Sequence, residues 1–168
     1  MLRKQILIAL GMLAAMAVCA AAASRALGAW PAVEAATDLR LALVAHWMVV
    51  PGLCLLVGLG VTANQRFLRA EFIDGQHPSK PGFMDVNLRY NLNTLEQTVL
   101  AAIAWSGLAL ALRPQDLALI PALAVLFAVG RVTFWIGYLY APWARAFGLG
   151  LTFYPTVAAL VWLAFRLL

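Results

Sequence analysis

The chain has 168 residues, of which 64% are hydrophobic and only 11% charged, with a mean hydropathy of +0.88. That much apolar surface cannot be hidden inside one small soluble core, so the surplus must face lipid. The net charge of +5 comes from basic residues scattered between apolar runs. It fits membrane topology better than nucleic-acid binding, and we expect no nucleic-acid partner.

Five hydrophobic segments can be drawn, at about residues 5–27, 40–64, 87–112, 116–140 and 143–168. Each is long enough to cross a hydrocarbon core of about 30 Å as a helix, which takes roughly 20 residues. None has the period-2 alternation of a lipid-facing strand, so the expected fold class is all-α, an integral membrane helical bundle. The first segment begins with Arg3 and Lys4, runs apolar from Ile6 to Ala23 and ends in the small residues Ala20 to Ser24. It reads either as a retained helix or as a secretory signal peptide. We prefer the retained helix, because the chain carries the segment from Met1 onward.

If every segment crosses, Arg3, Lys4, Arg66, Arg69 and Lys80 share one side. The other side carries Arg25, Arg40, Arg113 and Arg166, partly offset by Glu34, Asp38 and Asp116. The positive-inside rule then places the N-terminus and the long 65–86 connection in the cytoplasm. Asp74, Gly75 and two prolines mark turns in that connection. Pro51 and Gly52 predict a kink in the second segment. The remaining connections are short, so neighbouring helices should pack antiparallel. Trp30, Trp47, Trp143 and Tyr140 stand where interfacial anchors belong. Cys19 and Cys54 lie inside apolar runs without metal-ligand spacing and read as small core residues, and no metal site is expected. His46 reads as a hydrogen-bonded packing residue and His77 as solvated.

The chemistry concentrates in the third and fourth segments. Arg89, Asn93 and Glu96 stand at i, i+4 and i+7 and share a helix face. From a helix start near Val86, Glu96 lies about 15 Å along the axis, a depth at which a carboxylate is costly and functional by default. Arg131 comes out at similar depth, about 13 Å before the fourth helix ends near Tyr140, and we expect the two to pair. Tyr138 faces the same way as Arg131. Pro142 can end one helix and start the next, putting Arg145 in or near the first turn of the fifth segment, where a guanidinium and a helix N-terminus both favour an anion. A cluster of arginines with a carboxylate, an amide and a phenol suits a small ligand with more than one carboxylate and an ammonium group. The bland alternative is a charge pair that only fixes helix register. It accounts for Glu96 and Arg131 but leaves the rest unexplained. A proton or solute pathway is a further reading, weakened by the single deep acid.

Two stretches together resemble the family of membrane-associated proteins in eicosanoid and glutathione metabolism (MAPEG), which includes microsomal glutathione transferases. Arg89-x-x-x-Asn93-x-x-Glu96 looks like its glutathione-binding signature. Arg131-x-x-Phe134-x-x-Gly137-Tyr138 followed by Arg145 is similar to the end of its third helix and the start of its fourth. The resemblance covers about residues 40–168 and leaves 1–39 as an N-terminal addition. It implies a four-helix subunit in a homotrimer, with glutathione as co-substrate held near the cytoplasmic face. Arg89, Asn93, Glu96, Arg131 and Tyr138 would bind it, and Arg145 would stabilise its thiolate. The implied second substrate is a lipophilic electrophile or hydroperoxide arriving from the bilayer, and the implied localisation is a multi-pass protein of a bacterial inner membrane. Phe134 stands where several members have tyrosine, Gln97 replaces an aromatic, and Arg66 resembles the basic end of the family's first helix. The class that rivals a transferase or peroxidase is a non-catalytic lipid-binding or scaffold protein on the same bundle.

Overall fold

The computed structural model describes residues 1–31 and 36–167. Six α-helices follow in order: α1 (Leu2–Ala26), α2 (Thr37–Trp47), α3 (Val49–Leu68), α4 (Phe83–Ala111), α5 (Leu119–Tyr140) and α6 (Ala146–Phe165), with single 3-10 turns at Ala70–Phe72 and Pro114–Asp116. α2 and α3 form one continuous crossing, so five spans are long and apolar enough for a membrane, and the described residues hold no strand. This is the all-α membrane bundle that the composition required. Glu34, counted above among the outer charges, lies outside the described residues.

The second span breaks at Met48, not at Pro51-Gly52. Proline lacks an N–H and its ring crowds the carbonyl four residues earlier, so Pro51 acts on Trp47 and the helix resets one turn upstream. α4 starts at Phe83, a turn before the expected 87, and shortens the polar connection to residues 69–82. The turn at Asp74-Gly75 forms as expected, with Gly75 at φ 80° and its N–H bonded to the Phe72 carbonyl at 3.0 Å. His46 is exposed and meets Trp47 edge-on rather than packing inside.

Lipid provides no hydrophobic drive between helices, so close packing must come from small residues and polar contacts. The α5–α6 crossing shows this. A Cβ at Gly148 would strike the backbone of Phe134 and Gly130, and one at Gly137 would lie 2.6 Å from the Ala144 carbonyl oxygen. Within α6, Pro155 leaves the Leu151 carbonyl without its helical donor, and the Cys19 thiol of α1 points at that oxygen from 3.9 Å. A neighbouring helix thus serves the carbonyl that proline freed, as membrane helices require.

Two ends of the bundle are distinct. One carries Met1, the 69–82 connection and the turn at 141–145. At the other, Arg40 donates to the Ala109 and Leu112 carbonyls, Arg166 to the Ala111 carbonyl, and Gly28 N–H to Asp116.

Candidate functional site

Arg131 is fully buried in α5, and the glycine crossing explains how it can be. With α6 drawn in at Gly148, the guanidinium reaches across. Its Nη2 donates to Thr152 Oγ1 at 2.7 Å and to the Gly148 carbonyl at 3.4 Å, and Nη1 donates to Asn93 Oδ1 on α4 at 2.8 Å. Its planar face lies 4.8 Å from the Phe134 ring centre and 5.6 Å from that of Phe127. Two hydroxyl or amide dipoles and two ring faces therefore stand where a carboxylate was expected. Each such contact offsets part of the cost of removing the cation from water.

The expected Glu96–Arg131 ion pair is not formed. Glu96 is exposed on α4 and accepts from Asn93 Nδ2 at 3.3 Å. The reason is local: Asn93, one turn before Glu96, sits between the two charges with an amide that has an acceptor for the guanidinium and a donor for the carboxylate. Asn93 therefore relays between Arg131 and Glu96, and leaves the Glu96 carboxylate facing outward.

Nearer the Met1 end of the bundle, the turn from Ala141 to Arg145 folds on itself through the Ala144 N–H to Ala141 carbonyl bond, 2.9 Å, and α6 starts at Ala146 with Arg145 at its N-cap. The Arg145 guanidinium lies 4.4 Å over the Tyr138 ring, and Tyr138 meets Phe134 edge-on at 5.8 Å. Arg145, Tyr138, Phe134 and Arg131 thus stack as cation, ring, ring, cation along one face of α5. Among the described residues no carboxylate pairs with Arg145. Arg89 is exposed and bonds Asp85 at 3.0 and 3.1 Å, with the Tyr138 phenol close enough to interact with it.

The structure therefore brings Asn93, Glu96, Arg131, Phe134, Tyr138 and Arg145 into one connected array, with Arg89 at its edge. Gln97 is buried on the adjoining side of α4, with Oε1 unbonded. Arg66 stands half-buried in the last turn of α3 and makes no hydrogen bond or ion pair with the array among the described residues. Beside Asn93, Glu96 and Gln97 runs a groove of about 710 Å³, otherwise apolar, walled by Leu149 and Phe153 of α6 and by Met12 of α1. The array offers an outward carboxylate and an amide next to an apolar surface, with Arg131 buried behind the amide and Arg89 and Arg145 elsewhere on the array. That combination suits a charged peptide-like ligand meeting a lipophilic one.

Sequence reasoning missed Thr152, the closest partner of Arg131. It also missed a second polar stripe on α4. Asn87 donates to the Gly58 carbonyl at 3.0 Å and to Thr62 Oγ1 at 2.6 Å, and Asn91 donates to the same two atoms at 3.2 and 2.7 Å. The signal lies in the sequence, since polar residues at 87, 91, 94 and 98 keep helical spacing.

Residues 41–165 match the model of the MAPEG family. A 50-residue stretch is 48% identical to Transmembrane protein 79 of Mus musculus and 44% identical to that of Bos taurus, in each case covering 29% of this chain. The match spans 13% of the length of those relatives. No solved structure matches.

Proposed function

The chain belongs to the MAPEG family, and we propose that it is a membrane-bound, glutathione-dependent transferase or peroxidase acting on lipophilic electrophiles. The family holds both glutathione transferases and members without enzymatic activity. The observation that carries the catalytic reading is Arg145, a guanidinium at a helix N-cap with no carboxylate partner among the described residues, aligned with the Arg131–Asn93–Glu96 relay. A thiol of pKa about 8.5 is mostly protonated at neutral pH, and a neighbouring cation raises the thiolate fraction. Glutathione supplies that thiol, so the enzyme needs no cysteine nucleophile of its own. Cys19 and Cys54 are free and lie in α1 and α3, outside the array.

In this reading Glu96 holds the ammonium group and Arg89 with Asn93 holds the carboxylates, while the buried Arg131 fixes the Asn93 amide from behind. Tyr138 donates its phenol, and Arg145 faces the sulfur. The thiol proton leaves to water. The thiolate then attacks the electrophilic carbon, a C–S bond forms, and the leaving group departs. With a hydroperoxide the sulfur takes the terminal oxygen, an alcohol is released, and a second glutathione completes the disulfide with loss of water. The lipophilic partner enters from the bilayer through the groove beside Leu149 and Phe153. The subunits assemble as a homotrimer, and the site opens to the cytoplasm.

The test uses purified protein with glutathione and either a chromogenic electrophile or an organic hydroperoxide. Turnover together with an ultraviolet thiolate band on adding glutathione is expected. Absence of both overturns the enzymatic reading. A non-catalytic lipid-binding or scaffold role is the second reading. It is favoured by Phe134, whose ring provides no hydroxyl beside Arg131, and by relatives whose name describes a transmembrane protein and no reaction.

A further inference from the structure

α1 lies outside the residues that match the family, and it touches the bundle at two levels. Toward the Met1 end it meets α6 closely: Ala15 faces Gly150, and the Cys19 thiol faces the Leu151 carbonyl. At the opposite end the chain beyond α1 is pinned to the α4–α5 connection. There Gly28 N–H donates to Asp116 Oδ1 at 2.9 Å and Trp30 N–H to the Gln115 carbonyl at 3.2 Å. Between these levels α1, α5, α6 and the end of α4 line a cavity of about 1020 Å³ that is open along one side. Its walls are largely alanine and leucine, with Ala20, Ala23, Ala122 and Ala158 making the room.

Charge is confined to one end of this cavity, the other polar groups on its walls being the Tyr154 phenol and the Cys19 thiol. Arg113 and Asp116 are paired there at 2.8 Å and cancel. Arg166 remains, its guanidinium over Trp162 at 4.8 Å and bonded to the Ala111 carbonyl at 2.9 Å, with no carboxylate partner among the described residues. From Tyr154 to Arg166 the wall formed by α6 rises about 18 Å, close to one leaflet of a hydrocarbon core about 30 Å thick. The cation therefore stands at headgroup level and the rest at acyl depth.

We propose that this cavity is a lipid site that takes one acyl chain of an anionic phospholipid from the leaflet opposite the Met1 end, with the headgroup phosphate on Arg166. α1 creates it, by forming the wall that the family-matched residues lack. The site lies at the other end of the bundle from the Arg145 array and does not depend on the catalytic reading.

The full chain is reconstituted in phosphatidylcholine vesicles containing a trace of chain-labelled phosphatidylglycerol or chain-labelled phosphatidylcholine, and the motionally restricted lipid is read by electron paramagnetic resonance. Wild type should restrict phosphatidylglycerol about fivefold more strongly than phosphatidylcholine, the preference that one interfacial cation supports. Arg166→Gln should bring the ratio to about one. Ala158→Phe and Ala20→Phe fill the cavity from opposite walls at exposed positions and should each remove the selective component. Arg69→Gln, at the other end of the bundle, should leave it unchanged. Equal restriction of the two lipids by wild type overturns the proposal, as does persistence of the selectivity in both phenylalanine variants. Full displacement by spin-labelled stearate at equimolar concentration would identify a free fatty acid as the occupant and also overturn it.

Discussion

Two faces of α4 carry nearly the same side chains to opposite ends. Asn87 and Asn91 lie on one and Asn93 on the other, since a shift of two residues turns a helix by about 200°. On the first face two amides grip the Gly58 carbonyl and the Thr62 hydroxyl, and Asn87 is fully buried. A Cβ at Gly58 would strike the Asn91 side chain and lie 2.6 Å from the Tyr90 ring. On the second face Asn93 meets a guanidinium and a carboxylate instead. An asparagine that meets backbone fixes a helix crossing, whereas one that meets charges arranges them. Residue type alone does not distinguish the two.

That contrast can be broken at several points. Gly58→Leu should do the most damage, because the amide face has no room for it. A loss of about 3 kcal/mol or more in folding stability is expected from overpacking with displaced hydrogen bonds, seen as a collapse of the thermal transition in detergent. Arg145→Ala acts on the other side of the comparison. It should lower turnover about 100-fold, or roughly 2.7 kcal/mol in the barrier, with glutathione affinity nearly unchanged. Equal loss of turnover and binding would contradict its assigned role. Asn87→Ala removes two buried bonds and should cost about 2 kcal/mol of stability, while the protein that remains folded binds glutathione as wild type does. Glu96→Gln should show the reverse pattern. Its exposed side chain contributes little to stability, but glutathione affinity should fall about tenfold, near 1.4 kcal/mol, in equilibrium dialysis. If Asn87→Ala weakened glutathione binding more than Glu96→Gln did, the division between the faces would be wrong.

Much of this was legible in the chain. The five spans follow from runs of apolar residues that only lipid can accommodate, and Pro142 marked the break between the last two, although it lies in the turn and the next helix starts only at Ala146, with Arg145 at its N-cap position. The charged residues on α4 and α5 announced themselves by the cost of their depth. The pairing of Glu96 with Arg131 rested on depth alone, and depth does not specify azimuth. Asn93 is the shorter side chain and lies between them, so it took the guanidinium, and Thr152 arrived from a helix whose distance no sequence spacing encodes.

The sequence by itself determined that the protein is a helical membrane bundle, which residues are too polar for their depth, and which family pattern they resemble. These depend on composition and on a single helical period. Only the tertiary structure decided what each polar group touches. Partner choice depends on how closely two helices cross, and that is set by whether Gly58, Gly130 and Gly148 meet a carbonyl, an amide or another backbone across the gap. The same holds for the cavity behind α1. Its alanines read in sequence as ordinary membrane filler, and they border open space only because α1 is held against α6 at one level and the chain beyond it against the α4–α5 connection at another.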